Sequence, residues 1–165
     1  MEIHAVRNDD LPHLAEMYVR VYRRAFNAGE RWDVGAAARL LRHYFGRHPE
    51  LAFCAVDDDR PLGAFFVDVK PWWDGNRLVD GEIFVDPAEQ RKGIGAALIF
   101  RVLTEAVRLY AVTVWETTTF ADVEFPLSWY RRLGMESISE WTLIGGDVGT
   151  MLRRCQLRDN PVTDG

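Results

Sequence analysis

At 165 residues and 48% hydrophobic composition, the chain can bury one core and is too short for two. Its net charge of −5 and pI near 5.4, with no basic arm or Lys/Arg block, argue against a nucleic-acid partner held by counterion release. Cys54 and Cys155 stand apart without CxxC or CxxH spacing and the histidines are scattered, so neither a disulfide framework nor a metal site is expected.

Residues 2–6 alternate loosely and predict a short strand, and Asn8-Asp9-Asp10 offers a helix cap. Leu11, Leu14, Met17, Tyr18, Val21 and Tyr22 then recur every three or four residues, which predicts an amphipathic helix to about Phe26. A second helix follows Asp33, with Ala37, Leu40, Leu41, Tyr44 and Phe45 on its apolar face, and Pro49 stops it. The apolar runs 51–56 and 62–69, joined by Asp57-Asp58-Asp59-Arg60-Pro61, read as a hairpin of buried strands. Pro71 to Asn76 reads as a loop, and 78–85 as the next strand. A long helix runs from near Gly95 to Tyr110, with Leu98, Val102, Leu103, Ala106 and Val107 facing inward, and 111–117 is a β-branched strand. A short helix, 127–133, ends at Gly134, which suits a left-handed cap. Strands at 136–144 and 148–153 are expected last, joined across Gly145-Gly146-Asp147. The order is an α/β pattern with an antiparallel first half and a crossover helix. It reads as a single domain over 1–157 with a polar tail over 158–165. No stretch approaches the length that spans a bilayer, and the N-terminus lacks the features of a secretory signal. A cytoplasmic protein with no membrane partner is the expectation.

The most informative segment is Val85-Asp86-Pro87-Ala88-Glu89-Gln90-Arg91-Lys92-Gly93-Ile94-Gly95-Ala96-Ala97-Leu98. A strand ends, a basic glycine loop follows, and a helix opens at once. The first amides of a helix lack internal partners and the macrodipole favours an anion beside them, so the segment is a phosphate cradle. Gly93 and Gly95 let a ligand approach the backbone, and Arg91 and Lys92 add charge. The competing reading is an ordinary strand-to-helix turn. A Walker loop is excluded because Lys92 precedes the glycines, and the dinucleotide fingerprint because Leu98 stands where its third glycine belongs.

Gln90-Arg91-Lys92-Gly93-Ile94-Gly95-Ala96 resembles the Q/R-x-x-G-x-G/A loop of the GNAT family of N-acetyltransferases, and Val85-Asp86-Pro87 upstream and Leu98 downstream are similar too. The order of elements over about residues 2–154 matches that family. The resemblance implies a mixed, mostly antiparallel sheet of about seven strands with helices on both faces, splayed at the fourth and fifth strands. It implies acetyl-CoA as co-substrate and no metal. The pyrophosphate would lie on the backbone of Gln90, Arg91, Lys92, Gly93, Ile94, Gly95 and Ala96, and the pantetheine arm against Ile83, Phe84 and Val85.

Acetyl transfer to an amine needs a base for the ammonium and an acid for the departing thiolate. Ser128-Trp129-Tyr130-Arg131-Arg132-Leu133-Gly134-Met135 looks like the family's F-Y-x-x-x-G-F motif, which makes Tyr130 the candidate acid. Its competing reading is a tyrosine that only packs the short helix. The threonines of 117–119 stand where the family commonly carries an Asn. Glu82, on the strand before the loop, is the candidate base. Asp80 shares its face by alternation, Glu116 lies on the strand across the splay, and a water chain is a further alternative. Between Asp57 and Asp86 eight acidic residues face three basic ones, with Trp72 and Trp73 among them. Such a cluster suits a cationic amine acceptor, whether small molecule or protein, or else is a solvated surface. Asp122 and Glu124 extend it. A non-catalytic acyl-CoA sensor is the alternative function, and a homodimer is an expectation by analogy alone.

Overall fold

The computed structural model describes residues 1–25, 31–121 and 123–159. The expected helix end at Phe26, the acidic Asp122 and the tail from 160 onward lie outside the described residues. The chain divides into two compact units, Met1–Thr118 and Thr119–Gly165.

The first unit carries a sheet of order β1-β2-β3-β4-β5: β1 (Glu2–Ala5), β2 (Phe53–Asp57), β3 (Arg60–Trp72), β4 (Gly75–Val85) and β5 (Val114–Glu116). The first four strands pair antiparallel, and β4 pairs β5 in parallel. A parallel neighbour requires a crossover, which is α3 (Ile94–Tyr110). Helices α1 (Leu11–Ala25) and α2 (Val34–Arg47) lie between β1 and β2 in the chain. Asp33 caps α2, its Oδ1 accepting the Ala36 amide at 2.7 Å.

The strand period of two sorts the sheet into faces. Cys54, Ala64, Phe66 and Phe84 form one buried cluster with Leu14, Met17, Tyr18, Ala37 and Leu41 of α1 and α2. Their strand neighbours point the other way: the Phe53 ring lies 4.9 Å beneath the guanidinium of Arg101 on α3. Helices therefore cover both faces. On α3 the buried stripe is Ile94, Leu98, Ile99, Val102 and Ala106. Val107, expected inward, is 56% exposed, because it stands one helical step, about 100°, beyond the line set by Leu98, Val102 and Ala106.

Strand β4 does not alternate throughout. Asp68 pairs with Val79 and Phe66 with Glu82, so Asp80 and Gly81 together oppose Val67 alone. Both bulged residues have left-handed φ, 54° at Asp80 and 113° at Gly81. A Cβ on Gly81 would stand 2.9 Å from the Phe66 carbonyl oxygen, so glycine is required there by backbone conformation and by space. The bulge overturns the expectation that Asp80 shares a face with Glu82: with one residue inserted, Val79 takes that position and Asp80 is exposed. The opposing bulged stretch ends at Asp68, which is buried and answered from α2. His48 Nε2 lies 3.0 Å from Asp68 Oδ1, and Arg47 Nη2 reaches Asp68 Oδ2 at 2.8 Å.

The expected loop over 71–76 is instead the tip of a long hairpin. Trp72 pairs with Gly75, leaving Trp73 and Asp74 as the turn. Gly75, at the first position after the turn, takes φ 131°, a backbone conformation that favours glycine.

In the second unit α4 (Glu124–Arg132) and α5 (Val148–Asp159) are helical. Gly134, at φ 90°, follows α4, and its amide donates to the Arg131 carbonyl at 3.0 Å. The two expected final strands are not formed. Residues 136–147 carry no regular element, and 148–159 is helix. Asp147 supplies the reason for the second error. Its Oδ1 accepts the Thr150 amide and hydroxyl, each at 2.8 Å, an N-cap that commits the following residues to a helix. In 136–144 an alternating run lacks a paired neighbour, and Trp141, Leu143 and Ile144 are exposed. The sheet thus has five strands among the described residues, not seven.

Two outcomes follow. Gly81→Ala is expected to lower unfolding free energy by roughly 1–3 kcal/mol in urea titration, through the forced left-handed φ and the backbone clash. Burial pushes the Cys54 thiol up to about 12, which leaves it protonated at pH 8, whereas Cys155 is exposed. A disulfide reagent should therefore modify Cys155 rapidly and Cys54 only on unfolding.

Candidate functional site

The segment read as a phosphate cradle is a loop that joins the end of β4 to the start of α3. The Asp86 amide donates to the Leu62 carbonyl at 2.8 Å, holding the end of β4 to the sheet. Asp86 then accepts the Glu89 amide on its carbonyl at 2.8 Å and the Ala88 amide on Oδ1 at 3.0 Å. Gln90 Nε2 donates back to the Val85 carbonyl at 3.2 Å. Arg91 is left-handed at φ 66° and Gly93 at φ 83°, and the chain turns through them into α3. Gly93 is the N-cap and offers no side-chain acceptor. The amides of the first turn, including Gly95 and Ala96, consequently keep their donor character toward an anion.

Charge around the loop is partly internal. Glu89 accepts Lys92 Nζ at 2.8 Å and Arg60 Nη2 at 2.8 Å, and these two cations hold its carboxyl below the usual range. Arg91 is exposed and makes no ion pair among the described residues. Beside the loop a groove of about 200 Å³ is lined in part by His13, Arg20, Arg60 and Asp86, with Arg20 paired to Asp86 at 3.2 Å.

The edge of β4 opens where the bulge lies. β5 pairs only with Arg77, Leu78 and Val79, and the Trp115 indole N–H closes the ladder by donating to the Asp80 carbonyl at 3.2 Å. Beyond it Ile83, Phe84 and Val85 retain β3 as a neighbour, at Phe65, Ala64 and Gly63, but have no ladder to β5. This is the splay expected between the fourth and fifth strands. An edge of strand backbone leading to an uncapped helix start fits an amide-bearing arm that ends in a pyrophosphate.

On the α1 and α2 face of that edge, Glu82 meets two tyrosines. Tyr18 and Tyr22 hydroxyls both donate to Glu82 Oε2, at 3.0 and 3.1 Å. The residues sit four apart on α1 and so share one side of the helix. Burial first, and then the charge of Glu82, drive the Tyr18 phenol far above its ordinary range, so it stays a proton donor in this contact. Tyr44 of α2 is also raised, mainly by burial and next by Glu82. Sequence reasoning assigned all three tyrosines to apolar helix faces. The signal available was the i, i+4 pair of hydroxyls, and it is indistinguishable from core periodicity without knowing that a carboxylate faces it.

Other candidates are placed elsewhere. Glu116 pairs with Arg77, which also holds Asp74 at 2.7 Å. The tryptophans lie at the hairpin tip, with Lys70 Nζ 4.3 Å above the Trp72 ring and Trp73 86% exposed. Seven residue steps of strand separate Gly75 from Glu82, roughly 20 Å, so this cluster stands at the opposite end of β4 from the loop before α3. The expectation that it borders the acceptor came from the family resemblance; in this structure the hairpin tip is at the far end of β4 from Glu82. Tyr130 belongs to the second unit, where it is buried on α4, its ring 5.2 Å from that of Trp129 and its carbonyl accepting the Met135 amide at 3.1 Å. Among the described residues no group of three or more His, Cys, Asp or Glu side chains is arranged to hold a metal, and no helix is long and apolar enough to cross a membrane.

Comparison with known proteins agrees with this fold. The chain is 40% identical over 67 residues to mycothiol acetyltransferase of Clavibacter sepedonicus, a match that covers 41% of this chain and 20% of that protein. The chain therefore spans only about a fifth of that curated relative. A possible acetyltransferase from Clostridium difficile 630 superposes with a TM-score of 0.73 at 16% identity, over 89% of this chain and 97% of the other. Ribosomal-protein-alanine N-acetyltransferase from Brucella melitensis biovar Abortus 2308 gives 0.65 at 18% identity, over 89% and 99%. These two likenesses establish the fold. The profile of the Acetyltransferase (GNAT) family matches residues 11–135, and the chain belongs to that family.

Proposed function

We propose that this protein is an acyl-CoA-dependent N-acetyltransferase that acetylates a primary, cationic amine by direct attack within a ternary complex. The observation that carries the reading is a carboxylate, Glu82, on the same strand segment as the open β4 edge and the uncapped start of α3. Members of this family use acetyl-CoA, and the mycothiol and ribosomal-protein acetyltransferases among the similar proteins carry acyl transfer in their names. Residues 90–96 are proposed to hold the pyrophosphate, and Ile83, Phe84 and Val85 the arm that leads from it.

Bound acetyl-CoA supplies a thioester whose carbonyl carbon takes the amine and whose sulfur leaves as a thiolate. Glu82 accepts a proton from the ammonium, directly or through water, and frees the nitrogen lone pair. Tyr18 and Tyr22 hold Oε2 of that carboxylate in one orientation. Tyr130 gives its proton to the sulfur, an assignment that rests on the F-Y-x-x-x-G-F resemblance. One C–N bond forms and one C–S bond breaks, with no acyl group on the protein. Holding both reactants together supplies much of the acceleration.

The deciding measurement is free-thiol release from acetyl-CoA across a panel of amines. Release with at least one amine is expected, and tight coenzyme binding without release from any would leave the sensor reading. In thermal-shift assays coenzyme A is expected to raise the melting temperature and ATP is not. Tyr130→Phe should reduce kcat by roughly 10²-fold with coenzyme affinity unchanged; unchanged turnover would make Tyr130 a packing residue. A carboxylate base works only when deprotonated, so the parent rate rises with pH along its acid limb. Glu82→Gln should lower the rate and abolish that limb, and a retained limb would move the base elsewhere.

A further inference from the structure

Glu82 is set in an aromatic wall that no motif marks. Tyr18 and Tyr22 stack with ring centroids 4.4 Å apart and planes 25° from parallel. Trp32 stands edge-on to both, at 5.2 Å and 82° from Tyr18 and at 6.0 Å and 61° from Tyr22. Phe84 meets Tyr18 at 5.3 Å and 87°. Tyr18 is buried, whereas Tyr22, Trp32 and Glu82 are half-buried and keep part of their surface accessible. The wall that meets solvent beside the carboxylate is therefore Tyr22 and Trp32.

Two features of this wall bear on what it can take. Both tyrosine hydroxyls point inward to Glu82 Oε2, so toward a ligand the rings offer carbon edges and π faces. Arg20 is paired with Asp86 and Arg47 with Asp68. A ligand that brings positive charge meets a carboxylate and π faces, both of which attract it. A ligand that brings its own carboxylate meets Glu82 with like charge, and one that brings several hydroxyls must give up water against aromatic faces.

We propose that Tyr22, Trp32 and Glu82 form the acceptor subsite, and that it takes a monoamine carried on an apolar arm, an aryl-alkyl or alkyl amine, in preference to an amino sugar or an α-amino acid. The ammonium lies at Glu82 and the arm lies along Tyr22 and Trp32. This assignment rests on the acetyltransferase reading for its place in a reaction, while binding tests it independently of catalysis.

Isothermal titration of the full chain, with and without coenzyme A, measures the affinities of phenethylamine, hexylamine, glucosamine and phenylalanine. Phenethylamine and hexylamine are expected to bind at least tenfold more tightly than glucosamine or phenylalanine. Equal affinities, or a preference for the amino sugar or amino acid, would overturn the proposal. This comparison on the unaltered protein stands whether or not a variant folds. Trp32→Ala should weaken phenethylamine at least tenfold, and Tyr22→Phe, which keeps the ring, less than threefold. Both should bind coenzyme A as the parent does. Unchanged phenethylamine affinity in folded Trp32→Ala would also overturn it. Phenethylamine binding with no affinity for coenzyme A would keep the subsite and remove the acetyl-transfer reading. Thiol release with glucosamine alone would do the reverse.

Discussion

The left-handed pair at Asp80 and Gly81 is the constraint on which the site depends. It inserts one residue into β4 against β3, and the strand beyond it is turned by one position. Without that insertion Glu82 would face α3 and not α1, because the strand period is two. The same two residues coincide with the end of pairing to β5, so one local distortion both aims the carboxylate and leaves the edge that follows it open. The distortion is held from the other strand as well. Asp68, at the margin of the bulge, is gripped by His48 and Arg47 at the end of α2.

The site therefore joins a rigid part and a chemical part. The rigid part is the buried cluster in which Phe66 and Phe84 meet α1 and α2. The chemical part is the polar margin of that cluster, where Tyr18 remains within the core and places its hydroxyl on Glu82. A carboxylate fixed by two phenols has little freedom to rotate, and the cradle is fixed separately by Asp86 and Gln90. The sites proposed for acyl donor and acceptor thus share one strand, which would keep their separation insensitive to movement of the helices.

What the sequence made legible had local causes. The strand, basic glycine loop and helix of residues 85–98 could be read because amide donors, φ freedom and charge are all set within a dozen residues, and Leu98, Val102 and Ala106 gave the helix its phase. The hairpin tip at Trp73 and Asp74 escaped because turn-forming residues extend beyond the turn itself. The bulge escaped because Asp-Gly in a strand is also read as ordinary alternation. Residues 148–159 escaped because Val148, Met151 and Leu152 suit either period, and the choice was made by the Asp147 side chain on Thr150. The tyrosines around Glu82 could not have been found at all without the pairing of α1 to β4, which joins residues 60 and 64 positions apart.

Glu89 gives the cradle a property that its glycines do not. Its carboxylate bridges Lys92 and Arg60, and so occupies, from within the chain, the role that a dissolved anion would otherwise fill. A single weak anion such as chloride has little to gain by displacing a tethered carboxylate, whereas the pyrophosphate proposed for this loop would engage the amide turn of α3 and the cations at once. On that reading the loop would act as an ion exchanger with a resident counter-ion, suited to charge that arrives in pairs.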